Sequence, residues 1–358
     1  LRDMNTLSGL DPKKFEATIA GKQTALYTLT NANGAEMCVT NFGGIVVSLM
    51  MPDRNGKMDD VVLGLSNVED MVNGVDPYLG AAIGRYGNRI AMGKFTLGGV
   101  EYTLPQNNAT NCLHGGSGFS SKVWDVVKVE KNAIVLRYVS PDGEDGFPGT
   151  LDLEMTYTLT DNNEFRIDYK ATTDKLTLCN LTNHSFFNLN GTKEETPCIC
   201  NHVLTLNCDQ YIPVDEIAIP LGYKADVAGT PFDFRTPCAV KERINADDVQ
   251  IKNGSGIDHS FCINQKNKGE LTLAVTCECP ETGRVLKTYT TEPGIQVYTG
   301  NFLNGTVGVK GHVYPRRSGI CFESQHHPDS PNQPKFEQPV LAPGETYNQV
   351  TIYEFSVK

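Results

Sequence analysis

The chain has 358 residues, 39% of them hydrophobic and 20% charged, which is the composition of a globular protein with a large buried core. A formal charge of -11, with no cluster of Lys and Arg, argues against binding to nucleic acid. The longest apolar run, Ile45 to Met51, is far shorter than the roughly 20 residues that a membrane-spanning helix needs. Because the given start, Leu1, is not a Met, both the cytoplasm and the periplasm stay open as locations.

In the first half of the chain, one short helix and one long hairpin are predicted. Ser66 to Val72 is the helical stretch. Leu151 to Thr160 and Glu164 to Ala171 alternate apolar and polar residues on either side of a turn at Asp161 to Asn163. A period of two is typical of strands with one face buried, so these two runs predict an antiparallel hairpin.

In the second half, Thr236 and Pro237 resemble the N-cap and first residue of a helix of about two turns. Alternation then predicts further strands at Leu271 to Cys277, Val285 to Thr290 and Val350 to Val357. There is no glycine-rich dinucleotide or P-loop spacing between a strand and a long helix. The chain is therefore predicted to be all-β, with antiparallel sheets and few short helices.

The chain contains 11 cysteines, an odd number, and a core of this size does not need disulfides. Cys198 and Cys200 are two residues apart, as are Cys277 and Cys279, which on a strand places both sulfurs on one face. This spacing differs from the C-x-x-C of zinc and redox sites. We interpret them as small core residues, in a chain for which a reducing compartment is favoured.

Five polar clusters recur along the chain, and each alone has an ordinary structural explanation. Together they offer Asn, His, Asp, Arg, Gln and aromatic side chains at strand ends. A sugar needs this mixture, because each hydroxyl requires a directional partner and the apolar ring face an aromatic surface. The predicted ligand is therefore a monosaccharide, gathered from clusters at Gly84 to Ile90, Asn107 to Gly116, Leu181 to Gly191, Ser255 to Phe261 and Gly319 to Pro334.

Glu323 follows the apolar residues Ile320 to Phe322, which places a carboxylate at the predicted end of a buried strand. Partial burial raises the pKa of such a carboxyl group and suits it to general-base catalysis near neutral pH. A salt bridge at a strand end is the alternative for a single Glu. Glu323 and Asp258 together also fit a glycosidase, whose stereochemistry depends on the distance between the two carboxylates.

Other chemistries lack their motifs. His114-Gly115-Gly116 is similar to an oxyanion-hole loop, but the chain has no G-x-S-x-G nucleophile motif. His326 and His327 are adjacent and point to opposite faces of a strand, and no H-E-x-x-H set occurs. Neither a metal nor a cofactor is predicted.

The motifs GRYGNRI, NNATNCLHGG, LTNHSFFNLNG, GIDHSF, TTEPGIQVYTGNF and GICFESQHHPDSPNQP, in this order, resemble the aldose 1-epimerases, or galactose mutarotases. The resemblance covers nearly the whole chain, from about Phe15 to Lys358. It implies a galactose-mutarotase-like β-supersandwich over residues 15–358, preceded by an N-terminal extension at residues 1–14. It also implies an open sugar cleft and no cofactor.

By position in these motifs, Glu323 corresponds to the general base and His184 to the general acid of the family. The resemblance implies that the anomeric hydroxyl gives its proton to Glu323 while a charged His184 protonates the ring oxygen, so that the ring opens and closes on either face. Phe186 stands beside His184, where relatives often have Tyr, which implies one hydroxyl contact fewer. The remaining residues are expected to hold the sugar hydroxyls: Asn88, Arg89, His114, Asp258 and Gln296.

Two other functions on the same fold stay open. A non-catalytic carbohydrate-binding protein would not require both Glu323 and His184. A sugar-phosphate 1-epimerase would require several converging cations, and Arg85 and Arg89 are few for that purpose. The sequence does not decide between a monomer and a homodimer.

Overall fold

The structure is a computed structural model that describes residues 6–358. Its largest element is a nine-stranded sheet in which every neighbouring pair is antiparallel. All five strands predicted from alternation lie in this sheet. In spatial order its strands are Asp125–Val129, Ala133–Ser140, Leu151–Leu159, Glu164–Thr173, Tyr347–Val357, Arg284–Thr290, Thr272–Glu278, Val203–Leu206 and Cys238–Ala239.

Two further sheets complete the sandwich. The five-stranded sheet consists of Ala225–Asp226, Gln210–Tyr211, Asp258–Cys262, Gly294–Tyr298 and Cys321–Gln325, and the four-stranded sheet of Leu26–Thr30, Glu36–Thr40, Ile45–Pro52 and Met58–Asp60. Short two-stranded pairs join Ala17–Ile19 to Lys22–Thr24, Ala82–Ile83 to Thr182–Asn183, Arg89–Ile90 to Cys112–Leu113, Lys94–Leu97 to Val100–Thr103, Thr177–Leu178 to Val340–Leu341, and Thr306–Val307 to Val313–Tyr314. The α-helices of the described residues are Val68–Val72 and Val249–Gly254.

The main core lies between these sheets. Leu153 and Ile167 of the nine-stranded sheet belong to the same buried cluster as Phe322 of the five-stranded sheet and Val39 of the four-stranded sheet. All four side chains are at most 1% exposed. The prediction of an all-β protein of antiparallel sheets with few short helices is confirmed. No helix among residues 6–358 is long and apolar enough to cross a membrane.

The two predicted helices have different outcomes. The first is confirmed as Val68–Val72, capped by the side chain of Asn67. The two-turn helix after Pro237 is wrong, because Cys238–Ala239 pairs with Val203–Leu204 and only a 3-10 turn follows at Val240–Glu242. Pairing with a neighbouring strand supplies the backbone hydrogen bonds that a helix would have made, so tertiary structure overrides the local signal.

The cysteine prediction is half right. Cys277 lies on a strand and is buried together with Cys279, as expected for small core residues. Cys198 and Cys200 are not on a strand: they flank the start of a 3-10 helix, Ile199–Asn201, and are joined by a disulfide. The nine other cysteines are free.

Part of the predicted N-terminal extension packs onto the sandwich. The backbone N–H groups of Leu7 and Ser8 donate to the carboxylate of Glu36, and a 3-10 helix at Pro12–Phe15 places Phe15 in a buried position. Residues 1–5 lie outside the described residues. The boundary at residue 15 stays a prediction.

Arg85 is a structural residue that fixes the start of the loop leading to Asn88 and Arg89. Its guanidinium group is 2% exposed and donates to the carbonyl oxygens of Ser140, Pro141, Pro148 and Gly149. It also donates to the hydroxyl groups of Ser140 and Thr177. Arg85 is therefore not available as a cation for the predicted sugar cleft.

We expect Arg85→Ala to lower the free energy of unfolding by about 3–5 kcal/mol, because several buried carbonyl groups lose a charged donor at once. The measurement is urea unfolding followed by circular dichroism. Arg137→Ala is the matched control, since Arg137 forms an exposed pair with Asp152 and its loss is expected to change stability by less than about 1 kcal/mol. Equal effects of the two substitutions would contradict the structural role of Arg85.

Candidate active site

Three neighbouring strands of the five-stranded sheet bring the predicted acidic residues together. Glu323 lies on Cys321–Gln325, directly opposite Gln296 on Gly294–Tyr298. Asp258 begins the next strand, Asp258–Cys262, and its carboxylate accepts a hydrogen bond of 2.8 Å from the side-chain amide of Gln296. The expectation that Glu323 stands at a strand end is wrong, because the strand continues two residues further to Gln325.

A loop and a short strand form the opposite wall of the site. Arg89 pairs with Leu113, and its Nε donates to the side-chain oxygen of Asn108 at 3.0 Å. The backbone N–H of Asn88 donates to Nδ1 of His114 at 3.0 Å. Both Asn88 and His114 have left-handed backbone conformations, with φ of +68° and +51°. Such angles are uncommon outside glycine, and here they aim both side chains into the cleft.

His184 lies between the two walls, just after the strand Thr182–Asn183, and is enclosed by aromatic rings. The ring of Tyr78 stacks on it with centroids 5.6 Å apart, and the rings of Phe186 and His114 lie at 5.0 and 5.1 Å. On the buried side its Nδ1 is 3.5 Å from the sulfur of Cys321. These contacts leave Nε2 as the nitrogen that faces the cleft.

The walls enclose a cavity of about 430 Å³. Seven of the eight predicted site residues line it, and Gln296 lies behind Asp258 with its amide oxygen buried and without a hydrogen-bond partner among the described residues. The structure thus brings these eight residues together, and their roles in binding and catalysis stay predictions. The seven lining residues are Asn88, Arg89, His114, His184, Phe186, Asp258 and Glu323.

At the centre of the cavity, Nε2 of His184 is 3.4 Å from Oε1 of Glu323. The two atoms are not aligned for a good hydrogen bond, and Oε1 has no other partner among residues 6–358. Burial raises the pKa of Glu323 well above its usual range; the nearby Asp258 adds to this rise, and Arg89 opposes it. Burial also lowers the pKa of His184 to about 4. Both shifts favour the uncharged form of the pair, in which Glu323 carries the proton and His184 is neutral.

Among residues 6–358, His114, His184 and Glu323 form a group that could hold a metal ion, since their ligand atoms lie within 4.8 Å of one another. Burial lowers the pKa of His114 well below its usual value, and His184 and Arg89 lower it further, so His114 is neutral at pH 7. Because its Nδ1 accepts a hydrogen bond from Asn88, its proton resides on Nε2. A nitrogen that carries a proton suits a hydroxyl oxygen better than a metal ion.

Sequence reasoning missed several residues of the cavity. Tyr298 and Phe302 lie in the motif TTEPGIQVYTGNF but were not predicted as site residues. Asp76 and Tyr78 lie in none of the six motifs. Phe302 is 68% exposed at the rim, beside Tyr298. The position of Phe302 between Asn301 and Asn304 could have indicated a residue of the site. No feature of the sequence around Tyr78 distinguishes it.

Comparison of the chain with known proteins identifies its family. The aldose 1-epimerase family profile matches residues 25–354. Galactose mutarotase from Mus musculus is 46% identical over 321 residues, which cover 89% of this chain and 90% of the relative. Aldose 1-epimerase from Escherichia coli (strain K12) is 38% identical over 338 residues, covering 94% of this chain and 96% of the relative.

A solved structure, described as an aldose epimerase homologue from C. elegans, superimposes with a TM-score of 0.86. It is 29% identical in sequence and covers 93% of this chain and 99% of its own. The predicted galactose-mutarotase-like fold and the predicted isomerase activity are both confirmed by these matches. The chain belongs to the aldose 1-epimerase family.

Proposed function

We propose that this chain interconverts the α and β anomers of a free aldohexose such as galactose or glucose, with Glu323 as the general base and His184 as the general acid. The observation that carries this assignment is the 3.4 Å approach of Glu323 Oε1 and His184 Nε2 inside a polar cleft. The anomeric hydroxyl and the ring oxygen of a pyranose are bonded to the same carbon. A donor and an acceptor this close together can each reach one of the two oxygens.

The reaction needs one proton on the Glu323–His184 pair. With that proton on His184, Glu323 takes the proton of the anomeric hydroxyl while His184 protonates the ring oxygen, and the hemiacetal opens to an aldehyde. With the proton on Glu323, the same pair performs ring closure: Glu323 protonates the aldehyde oxygen, and His184 accepts the proton of the attacking hydroxyl. Rotation about the bond between C1 and C2 before closure yields the other anomer.

The charge of the cleft supports a free sugar over a sugar phosphate. Arg89 is the only guanidinium or ammonium group among the described residues that line the cavity, and Asp76, Asp258 and Glu323 line it as well. A phosphate dianion would need several converging cations. Arg89, Asn88, His114 and Asp258 instead offer the donors and acceptors that neutral hydroxyl groups need.

We expect a bell-shaped dependence of kcat/KM on pH, with its acid limb near pH 4. Below the pKa of about 4 of His184, both groups carry a proton and the base is lost. Above the raised pKa of Glu323, the pair loses its last proton and the acid is lost. Polarimetry of freshly dissolved α-D-galactose at a series of pH values tests this, with the spontaneous rate subtracted at each pH.

The same experiment separates the alternatives. An acid limb near the ordinary His value of about 6.5 would contradict the effect of burial on His184. A rate equal to the spontaneous one at every pH would instead identify a carbohydrate-binding protein without catalysis. We further propose that residues 15–358 act as one catalytic domain, as a monomer or a homodimer, in the cytoplasm or the periplasm.

A further inference from the structure

A second and larger cavity lies apart from the catalytic cleft. Its volume is about 800 Å³, against about 430 Å³ for the cleft, and the two cavities share no lining residue. The outer face of the strands Leu151–Leu159, Glu164–Thr173 and Tyr347–Val357 contributes to it. So does the segment that follows the strand Cys321–Gln325, which carries Glu323.

An oriented imidazole reaches this cavity. Nδ1 of His326 is 3.0 Å from the carboxylate of Glu292, which is only 5% exposed. Its other ring nitrogen, Nε2, has no hydrogen-bond partner among the described residues. Both sides of its backbone are fixed by Asn180, whose side chain accepts from the N–H of His326 at 2.9 Å and donates to its carbonyl oxygen. A partly buried ring held this firmly is a preformed hydrogen-bonding group for a ligand.

Two amide side chains also line this cavity. Asn348 is exposed and offers a donor and an acceptor along the wall. The side-chain N–H groups of Gln265 already donate to the carbonyl oxygens of Glu270 and Thr291, so Gln265 offers its acceptor oxygen.

The charges of the cavity indicate what kind of ligand fits. Three lysines and four carboxylates line it, which gives a formal charge of -1. Lys224 is paired with Glu337 at 2.6 Å, and Asp168 with Arg166 at 3.0 Å, so these charges are already compensated. The remaining charges are two lysines, Lys170 and Lys268, and two carboxylates, Glu154 and Glu292, so a phosphate or carboxylate ligand would meet as many acids as bases. A neutral ligand with many hydroxyl groups can use both signs of charge and the amides.

We infer that this cavity is a second carbohydrate-binding site, which takes a neutral oligosaccharide of more than one ring. Its size supports the length, since it is nearly twice the volume of a cleft that takes a single aldose. The inference does not depend on the catalytic roles proposed for Glu323 and His184.

Isothermal titration calorimetry on the full chain tests the inference with three probes: methyl glycosides of maltotriose, cellotriose and a galactotriose. The methyl group blocks ring opening, and saturating D-galactose is present to occupy the cleft. We expect at least one probe to bind with a stoichiometry of one. We expect His326→Ala to weaken that binding by about tenfold, because it removes the oriented donor and acceptor.

Two controls assign the binding to one cavity. Asp258→Asn, in the catalytic cleft, is expected to leave trisaccharide binding unchanged, and so is His312→Ala, which removes a surface histidine. Lys268→Glu, at the exposed rim of the second cavity, is expected to weaken it and serves if His326→Ala does not fold. An unchanged rate of mutarotation by His326→Ala shows that this variant is folded and that the two sites are separate.

The inference is overturned if none of the three probes binds in the presence of galactose. It is also overturned if Asp258→Asn abolishes binding while His326→Ala and Lys268→Glu do not, since the site would then be the cleft. Glucose 6-phosphate is the charged probe. If it binds in a His326-dependent manner and the trisaccharides do not, the ligand is an anion and the assignment to a neutral glycan is wrong.

Discussion

Glu323→Gln is expected to reduce kcat for mutarotation by about a hundredfold to ten-thousandfold while leaving the affinity for galactose within a few fold. Gln has nearly the same shape as Glu and keeps its hydrogen-bonding capacity, but its amide cannot accept and return a proton. Since Oε1 of Glu323 has no hydrogen-bond partner in the part of the chain that the structure describes, the substitution removes no hydrogen bond of that atom there. The effect should therefore fall on the proton transfer and not on the fold.

Polarimetry gives the rate, and isothermal titration calorimetry gives the affinity for galactose. Glu101→Gln is the matched control, because Glu101 is an exposed carboxylate on the strand Val100–Thr103. The control is expected to retain the full rate. If Glu323→Gln loses both rate and affinity in proportion, Glu323 is a binding residue, and the base must be sought at Asp258.

Burial also predicts a difference in stability between Glu323→Gln and the parent chain. The pKa of Glu323 is raised in the folded protein, so its carboxyl group holds a proton that the unfolded chain releases. Its contribution to stability therefore declines as the pH rises from the unfolded value of about 4.5 toward the folded pKa. A site that keeps such a carboxyl group gains a general base at the expense of stability.

Five strands of the nine-stranded sheet and the polar clusters of the site could be predicted from the sequence. A half-buried strand has to alternate, so Leu151–Leu159 and Glu164–Thr173 are visible without knowledge of their partners. Site residues at positions such as Asp258 and His184 were visible because polar side chains interrupt apolar runs there. The pairing of Cys238–Ala239 was not visible, because the strand that overrides its helical signal lies more than 30 residues earlier in the chain.

The two arginines of one loop show where the sequence stops being informative. Arg85 and Arg89 are four residues apart and equally suited to a sugar cleft by composition. Arg85 is buried against four carbonyl groups, whereas Arg89 lines the cavity. The carbonyl groups that accept hydrogen bonds from Arg85 belong to residues 140–149. The structural role of Arg85 and the position of Arg89 in the cavity can therefore be distinguished only in the folded chain.

His184→Gln is expected to reduce kcat by about a hundredfold to ten-thousandfold as well, because it removes the imidazole nitrogen that lies 3.4 Å from Oε1 of Glu323. His312→Gln is the matched control and is expected to keep the parent rate, since His312 lies outside the cleft and contacts Thr192. Urea unfolding of both variants shows whether loss of the ring from between Tyr78 and Phe186 affects the fold.

The double variant Glu323→Gln/His184→Gln tests whether the two residues act as one unit. Each proton that Glu323 accepts is matched by one that His184 donates, so removing either residue stops the same step. We therefore expect the double variant to be hardly slower than the slower of the two single variants. Losses that multiply would mean that the residues contribute independently, and the shared-proton mechanism would then be wrong even if both residues are essential.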